Sequence, residues 1–173
     1  PQPETRALYK RIRRGRVETK PTPVEKQIQT IVPQHNLPSQ LSTFIGRGKE
    51  IDQVAGLLAK QRLVTLVGAG GIGKTRLSLQ VGQRVLSEYP DGVWFIPLDS
   101  LSDPELVPQA VAMALGVREQ PEQPLSDTLA DHLRARQLLL LLDNCEHLVA
   151  ACARLAEGLL RSDPQLRILA TSR

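Results

Sequence analysis

GAGGIGKT, at residues 68–75, is the stretch of this sequence that decides its fold. An apolar run at residues 63–67 precedes it, and apolar residues with helical spacing, Leu77, Val81 and Val85, follow it. A glycine-rich turn that ends in Lys and Ser or Thr, set between a strand and a helix, is the pattern of a phosphate-binding P-loop. The sequence therefore predicts that this chain binds a nucleoside triphosphate at this turn.

The residue types of the turn each have a mechanical reason. Glycines let the backbone point its N–H groups at the β-phosphate and place no side chain in the way of the anion. Lys74 is expected to reach the β- and γ-phosphates, and the Thr75 hydroxyl to ligate a bridging Mg²⁺. The helix that begins near Gly73 adds the positive end of its dipole. The predicted nucleotide-binding residues here are Gly68, Gly70, Gly71, Ile72, Gly73, Lys74, Thr75 and Arg76.

A second part of the site is predicted after a run of five leucines. Residues 138–142 are all leucine, and Asp143 follows them. A buried parallel strand is apolar throughout, and ligands of open α/β sheets bind at the carboxyl ends of the strands. We therefore expect a Walker B strand whose Asp143 is a catalytic residue and holds Mg²⁺ through water. The alternative role for this carboxylate is an N-cap of the following helix.

An arginine is predicted at the end of a third strand. Residues 166–171 carry alternating apolar side chains at Leu166, Ile168 and Ala170, with Leu169 between them. Ser172 and Arg173 follow. At the carboxyl edge of the sheet, Arg173 would point at the γ-phosphate and distinguish a triphosphate from a diphosphate, because only the γ-phosphate offers this bidentate anionic partner. A frayed chain end is the alternative interpretation of Arg173.

Upstream of the P-loop, a short element precedes an amphipathic helix with apolar positions Ile51, Val54, Leu57 and Leu58. The element consists of Phe44, Ile45, Gly46, Arg47 and Glu50. By itself this pattern indicates only a helix start. Placed before a P-loop strand, it resembles the hhGRxxE element of the signal-transduction ATPases with numerous domains, the STAND class. In that class the apolar residue before Gly-Arg packs near adenine, which implies that Ile45, Gly46 and Arg47 bind the nucleotide.

The resemblance covers residues 37–173 and includes four motifs in order. They are FIGR at 44–47, VGAGGIGKTR at 67–76, LLLLLDNCEH at 138–147 and ILATSR at 168–173. The combination is most similar to the AP-ATPase or NB-ARC-like modules of large bacterial transcriptional regulators of the LuxR type and the antibiotic-regulatory-protein (SARP) type. It implies ATP or ADP and Mg²⁺ as ligands, Lys74, Thr75 and Asp143 at the phosphates and the metal, and Arg173 as the sensor.

Two positions depart from that family pattern. Many relatives carry a second acidic residue after the Walker B aspartate, and here the position is Asn144, which accepts no proton at neutral pH. We therefore expect slow hydrolysis, with Glu146 as the remaining catalytic candidate to polarise water. Glu146 could equally be a favourable charge at a helix start. Gly48, directly after Arg47, occupies a position that is usually acidic in such elements. The sequence therefore does not fix which residue of this element contacts adenine.

The alternation of strands and helices predicts an α/β fold, a P-loop NTPase with a parallel sheet, flanking helices and right-handed crossovers. If the strand order follows the additional-strand class of such NTPases, the Arg173 strand lies between the P-loop strand and the Walker B strand. A fifth strand on the other side of residues 63–67 is not found in the sequence. The sequence is thus interpreted as the N-terminal part of an NTPase domain, truncated after the sensor strand.

Charge and proline content divide the chain further. Residues 1–26 carry eight Lys or Arg against three Glu, a net charge of +5, whereas the whole chain carries +4. The remainder is therefore near neutral, which argues against DNA binding by the NTPase body. Residues 1–15 resemble the closing helix of a transcriptional activator domain, residues 16–36 are predicted to be a proline-rich linker, and residues 37–173 form the NTPase part.

The remaining signals concern thiols and membranes. If Cys145 and Cys152 lie on one helix after the Walker B strand, the helical rise separates them by about 10 Å, beyond the ~7 Å limit for a disulfide. Reduced thiols suit the cytoplasm. A metal cluster of Cys145, His147 and Cys152 lacks a fourth ligand and has the wrong spacing for zinc. No run approaches the ~18 apolar residues of a membrane helix, so no membrane partner is expected.

The leading hypothesis from the sequence is a regulatory switch that binds ATP or ADP within a multidomain bacterial transcriptional regulator, with slow hydrolysis coupled to conformational change or assembly. The expected partners are the nucleotide, other domains of the same polypeptide, further copies in self-assembly, and DNA through domains outside this sequence. A P-loop small-molecule kinase is an alternative, but it needs an acceptor pocket and an arginine-rich lid. A DNA-loading AAA-type ATPase shares the motifs and is the third hypothesis.

Overall fold

Strands and helices alternate along the chain in the computed structural model, which describes residues 34–39 and 46–173. The predicted segment 1–15, most of the predicted linker 16–36, and Ile45 lie outside the described residues. The elements are, in order, α1 Gly48–Lys60, β1 Leu63–Val67, α2 Lys74–Val85, β2 Val93–Pro97, α3 Val107–Leu115, α4 Leu125–Leu133, β3 Leu139–Asp143, α5 Val149–Ser162 and β4 Arg167–Ser172. Short 3₁₀ helices span Leu86–Glu88, Pro104–Leu106 and Cys145–His147.

The described strands form one parallel sheet of four strands in the order β1-β4-β3-β2. Val67 is in register with Ser172, and Pro97 with Asp143. The strand that ends before Arg173 therefore lies between the P-loop strand and the Walker B strand, which confirms the predicted order. Because all four strands run the same way, their carboxyl ends meet at one edge, where ligands of open α/β sheets bind.

Two apolar cores cover the two faces of the sheet. The leucines of β3 alternate between them: Leu139 and Leu141 pack with α1 and α2, whereas Leu140 and Leu142 pack with α3, α4 and α5. Every residue of β3 is buried. This explains why the strand is apolar at consecutive positions instead of alternating, as the sequence predicted. The predicted parallel sheet with helices on both faces is confirmed.

The helix after the P-loop packs very closely on the sheet. A Cβ atom on Gly82 would lie 2.9 Å from Cδ1 of Leu141 and 3.1 Å from Cγ1 of Val93. Thr75 and Ser78 precede Gly82 on the same side of α2 by helical spacing, and Ser78 is buried at 1 % exposure. The absence of a side chain at Gly82 thus lets α2 lie close to β2 and β3.

The two edge strands of the sheet, β1 and β2, have different neighbours. On the β2 side, residues 34–36 run beside the strand: Val93 N–H donates to the Gln34 carbonyl at 3.1 Å, and the Asn36 amide exchanges hydrogen bonds with the backbone of Phe95 at 2.6 and 2.8 Å. On the β1 side, Val67 keeps 69 % of its surface exposed. Within residues 34–39 and 46–173, no strand pairs with that outer edge of β1.

The condition under which the sequence predicted the separation of the two cysteines is not met. Cys145 lies in the 3₁₀ helix Cys145–His147, and Cys152 lies in α5, so they do not share one helix. Leu148, with φ −126° and ψ 20°, interrupts the helical backbone between them. The helical-rise separation of about 10 Å therefore does not apply. Among the described helices, none combines the length and the apolar character needed to cross a bilayer.

Candidate functional site

The first turn of α2 and the end of β3 meet at the carboxyl edge of the sheet. The Thr75 hydroxyl lies 2.9 Å from Oδ1 and 2.8 Å from Oδ2 of Asp143 and donates to this carboxylate. Asp143 itself is only 7 % exposed. The structure thus brings together the two side chains that the sequence assigned to the metal, although 67 residues separate them in the chain.

Positive φ angles shape the P-loop turn. Gly71 has φ 80° and Gly73 has φ 86°, and Gly73 is the N-cap of α2. These angles lie in the left-handed region that side-chain-bearing residues rarely adopt, which explains the two glycines. At Gly68, a Cβ atom would overlap the side chain of Ile72. Ile72 therefore folds back over the start of the loop, while Arg76 lies exposed in the first turn of α2.

The ammonium group of Lys74 is held by the loop itself. Its Nζ donates to the carbonyl of Gly68 at 2.7 Å and to the carbonyl of Ala69 at 2.9 Å. The positive charge therefore lies within the turn whose backbone N–H groups are predicted to face a phosphate. A phosphate that entered this turn would meet a lysine already positioned beside it.

An ion pair connects the other two predicted catalytic residues. Arg173 Nε lies 2.9 Å from Oε1 of Glu146. The Asn144 amide, with its nitrogen turned toward Glu146, donates to both carboxylate oxygens at 3.0 and 3.2 Å. The Arg173 guanidinium also lies alongside the P-loop, since a Cβ atom on Gly70 would be 3.4 Å from Nη2. The structure thus places Arg173, Glu146 and the P-loop side by side.

Thr171 is a site residue that the sequence reasoning missed. Its hydroxyl donates to Oδ1 of Asp143 at 2.6 Å and accepts the backbone N–H of Asn144 at 2.9 Å. At 2 % exposure it is fully enclosed. The carboxylate of Asp143 is therefore directed at Thr75 and Thr171, and the 3₁₀ helix that follows has Asn144 at its N-cap position. The signal in the sequence was a polar residue near the end of an otherwise apolar strand that adjoins β3.

The upstream element reaches the P-loop through one side chain. Gly46 and Arg47 have φ angles of 83° and 59°, and the Arg47 carbonyl accepts the Ile51 N–H at 3.0 Å at the start of α1. The Arg47 guanidinium lies near Gly73, with Nη1 3.8 Å from a Cβ atom placed there. Arg47 is thus located beside the phosphate-binding turn. The expected contact of Ile45 with adenine stays a prediction, because Ile45 lies outside the described residues.

The oxygens at the site suit a hard cation. Mg²⁺ takes oxygen ligands and is bound in proteins by one or two carboxylates together with substrate phosphates and water. The Thr75 hydroxyl and the Asp143 carboxylate, in mutual contact at 2.8–2.9 Å, are a donor set of this kind. Within the described part of the chain, no three His, Cys, Asp or Glu side chains are grouped to hold a metal.

The two cysteines share a buried environment next to Asp143. Both line a cavity of about 330 Å³ between β1, β4 and α5. A hydrogen bond between the two thiols, followed by burial, raises the pKa of Cys145 far above the ordinary thiol value. The same hydrogen bond lowers the pKa of Cys152. Both cysteines are free thiols.

A parallel sheet with helices on both faces, a glycine turn before α2 and an aspartate at the end of β3 define a P-loop NTPase fold of the α/β class. The sequence model of the AAA domain matches residues 58–171, about two thirds of this chain, and the chain belongs to this family.

Relatives of known sequence include regulators. An uncharacterized protein of Mycobacterium tuberculosis is 42 % identical over 139 residues, which are 80 % of this chain and 35 % of that protein. A second M. tuberculosis protein, which carries the name of an HTH-type transcriptional regulator, is 46 % identical over 117 residues, 68 % of this chain and 13 % of its own length. The regulatory protein AfsR of Streptomyces griseus is 27 % identical over all of this chain and 19 % of its own length. The chain thus spans about a third or less of these relatives.

Two solved structures share the fold at low sequence identity. Cdc6p from Pyrobaculum aerophilum aligns with a TM-score of 0.58 and 16 % identity over 83 % of this chain and 42 % of its own. The ORC2 protein of Aeropyrum pernix, in ADPNP and ADP complexes, aligns with a TM-score of 0.55 and 16 % identity, over 83 % of this chain and 44 % of its own. At this identity, the likeness supports the fold alone.

Proposed function

We propose that this chain is the ATP- and ADP-binding switch module of a multidomain bacterial transcriptional regulator that acts in the cytoplasm. The single observation that carries nucleotide binding is the contact of Thr75 with Asp143, because it joins the P-loop to the end of the leucine strand. Membership of the AAA domain family supports it. The regulatory setting is supported by the names of two relatives, both much longer than the matched segment.

In the proposed complex, the P-loop backbone surrounds the β-phosphate and Lys74 contacts the β- and γ-phosphates. Thr75 and Asp143 would hold Mg²⁺, which neutralises charge between the β- and γ-phosphates. Ile45, Gly46 and Arg47 are proposed to lie at the nucleoside end, with the guanidinium of Arg47 near the first turn of α2. Among the side chains in these assignments, those of Lys74, Thr75 and Asp143 lie together at the carboxyl edge of the sheet.

The switch itself is proposed to depend on Arg173. Its guanidinium lies beside Gly70 of the P-loop, where it could reach a γ-phosphate that ADP lacks. Exchange of ADP for ATP would then change the partners of Arg173 and bias the arrangement of neighbouring domains. Hydrolysis, expected to be slow because Asn144 replaces an acid, would reset the module. Self-assembly and contact with DNA through other domains complete the proposal.

Nucleotide titration tests the binding site. Replacing Lys74 with Ala should abolish binding of a fluorescent ATP analogue, because the charge that faces the β- and γ-phosphates is removed. The matched control is Lys60→Ala, since Lys60 is an exposed lysine at the end of α1, outside the site. Equal affinity of the wild type and the Lys74→Ala variant would reject the assignment of the P-loop as the nucleotide site.

A further inference from the structure

Glu146 is held from two sides by groups of different exposure to solvent. Asn144 donates to both carboxylate oxygens at 3.0 and 3.2 Å, and Arg173 Nε contacts Oε1 at 2.9 Å. The Glu146 side chain is only 20 % exposed, whereas that of Arg173 is 69 % exposed. Asn144 is the half-buried partner of this carboxylate, and Arg173 is the exposed partner that solvent or a ligand can reach.

The backbone of Asn144 explains how its amide faces Glu146. Asn144 has φ 66° and ψ 48°, a left-handed conformation that Asn and Asp tolerate better than other side chains. Its N–H is fixed to the Thr171 hydroxyl at 2.9 Å. This turn directly after β3 separates Asp143 from Glu146 and aims the Asn144 side chain back at the Glu146 carboxylate. The residue that lacks acidic function at position 144 therefore supports an acid two positions later.

Arg173 connects this carboxylate to the P-loop. Nε is the atom that contacts Glu146, and Nη2 is the guanidinium atom nearest to Gly70, 3.4 Å from a Cβ atom placed there. The N–H of Gly68 donates to the carbonyl of Ser172 at 3.3 Å, which fixes the end of β4 against the start of the loop. A γ-phosphate at the loop would therefore compete with Glu146 for one guanidinium, which can donate two parallel hydrogen bonds to a phosphate.

We propose that Glu146 is the general base of this site and that Asn144 is its positioning residue. The ion pair with Arg173 prevents Glu146 from acting as a base until the γ-phosphate of a bound triphosphate binds the guanidinium instead. This inference rests on the proposed nucleotide-binding function and adds a role for the residue at position 144. In the triphosphate state, the Asn144 amide keeps Glu146 in place. With diphosphate bound, Arg173 keeps its ion pair with Glu146.

The hydrolytic step balances with water as the only co-reactant. The oxygen of water forms a bond to the γ-phosphorus, and the bond from that phosphorus to the β–γ bridging oxygen breaks. The bridging oxygen leaves on ADP with the electron pair. Glu146 accepts a proton from the attacking water and later releases it to solvent, so the products are ADP, inorganic phosphate and a proton.

Two variants separate this proposal from a purely structural role of the cluster. Glu146→Gln removes both the base and the charge that competes for Arg173, so single-turnover hydrolysis should fall about 100-fold or more. The ratio of ATP affinity to ADP affinity should rise about 2- to 5-fold, as expected for the loss of one ion pair whose Arg173 side is exposed to solvent. Glu157→Gln is the matched control, because Glu157 forms an exposed ion pair with Arg161 on α5.

Asn144→Asp decides the role of position 144, because Asp has the same shape and tolerates the same backbone conformation. An Asp carboxylate cannot donate to Glu146 and repels it, so single-turnover hydrolysis should fall about tenfold. Affinities for ATP and ADP should stay within about twofold of the wild type. The side chain of Asn144 contacts Glu146 and does not contact the residues that are predicted to bind the phosphates. This separation of rate from affinity would not follow from general unfolding, which far-ultraviolet circular dichroism checks.

The measurements are single-turnover release of labelled phosphate and separate titrations with ATP and ADP. Faster hydrolysis by Asn144→Asp would overturn the proposal, because position 144 itself would then be the place of the acid. Wild-type hydrolysis rates in Glu146→Gln, or nucleotide binding by the wild type without any turnover, would also overturn it. Failure of the wild type to bind either nucleotide would instead reject the proposed function on which this inference rests.

Discussion

The hydroxyl of Thr171 lies 2.6 Å from Oδ1 of Asp143 and so fixes the carboxylate at the end of the neighbouring strand. The same hydroxyl accepts the Asn144 N–H at 2.9 Å. Thr171 is thus a common support for the metal-binding candidate and for the turn that carries Asn144. Because Thr171 is almost fully buried, water cannot replace either contact.

Replacing Thr171 with Val should therefore destabilise the protein and weaken nucleotide binding that depends on Mg²⁺. The Asn144 N–H loses its partner, and Asp143 keeps only the hydrogen bond from Thr75. A buried group left unsatisfied costs about 1–3 kcal/mol. Urea unfolding and nucleotide titration in Mg²⁺ measure the two effects. Thr171→Ser keeps the hydroxyl and should lose much less of both. Equal unfolding free energies for Val and Ser at position 171 would contradict the assigned hydrogen bonds.

Two helical glycines should respond to alanine in opposite directions. At Gly82 a Cβ would press on Leu141 and Val93, at 2.9 and 3.1 Å, so Gly82→Ala should destabilise the fold by about 1–3 kcal/mol. At Gly158 a Cβ would meet nothing within 4 Å, so Gly158→Ala should stabilise α5 by up to about 1 kcal/mol. Thermal and urea unfolding of both variants check the prediction. A destabilised Gly158→Ala would show that α5 packs differently.

The strand order and the layer arrangement were predictable because they follow from local patterns. The P-loop and the leucine strand each contain a continuous signal, and the resemblance to additional-strand NTPases places the strand before Arg173 between them. The contact of Thr75 with Asp143 follows from the parallel sheet, since all four strands end at the same edge. Sequence patterns therefore sufficed wherever one strand or one turn fixed the position of a residue.

Other parts of the site depend on side-chain direction and could not be predicted. The turn at Asn144 requires a positive φ angle, which the sequence does not specify, and this turn brings the amide onto Glu146. From the sequence, Asn144 was only a position where relatives carry an acidic residue. In the structure its amide is a hydrogen-bond partner of Glu146, the next acidic residue in the chain. The interruption at Leu148 likewise was not visible in the sequence pattern, so the sequence did not predict that Cys145 lies in a separate 3₁₀ helix.

The lowered pKa of His132 predicts how the free energy of unfolding depends on pH. Burial, followed by the positive charge of Arg136, lowers the pKa of His132 below the ordinary value of 6.5. In the unfolded chain His132 binds a proton at higher pH than in the folded protein. The folded state is therefore favoured fully above pH 6.5, and this contribution is lost as the pH falls from 6.5 through the lower folded pKa.

Urea unfolding between pH 5 and pH 7.5 tests this sign. The wild type should lose more unfolding free energy toward pH 5 than His132→Gln, in which the titrating group is absent. A proton NMR titration of the imidazole reports the folded pKa directly. Identical pH profiles for the two proteins, or a folded pKa above 6.5, would show that the environment of His132 was assigned with the wrong sign.

Asp143→Asn tests the metal proposal apart from the nucleotide proposal. The amide has nearly the same shape and can still contact the hydroxyls of Thr75 and Thr171, but it lacks the charge that a divalent cation needs. We expect ATP affinity in the presence of Mg²⁺ to fall at least about tenfold. Affinity measured in excess EDTA should stay close to that of the wild type, because Lys74 and the P-loop backbone are intact. A loss of similar size with and without Mg²⁺ would mean that Asp143 supports the shape of the loop and does not hold the ion.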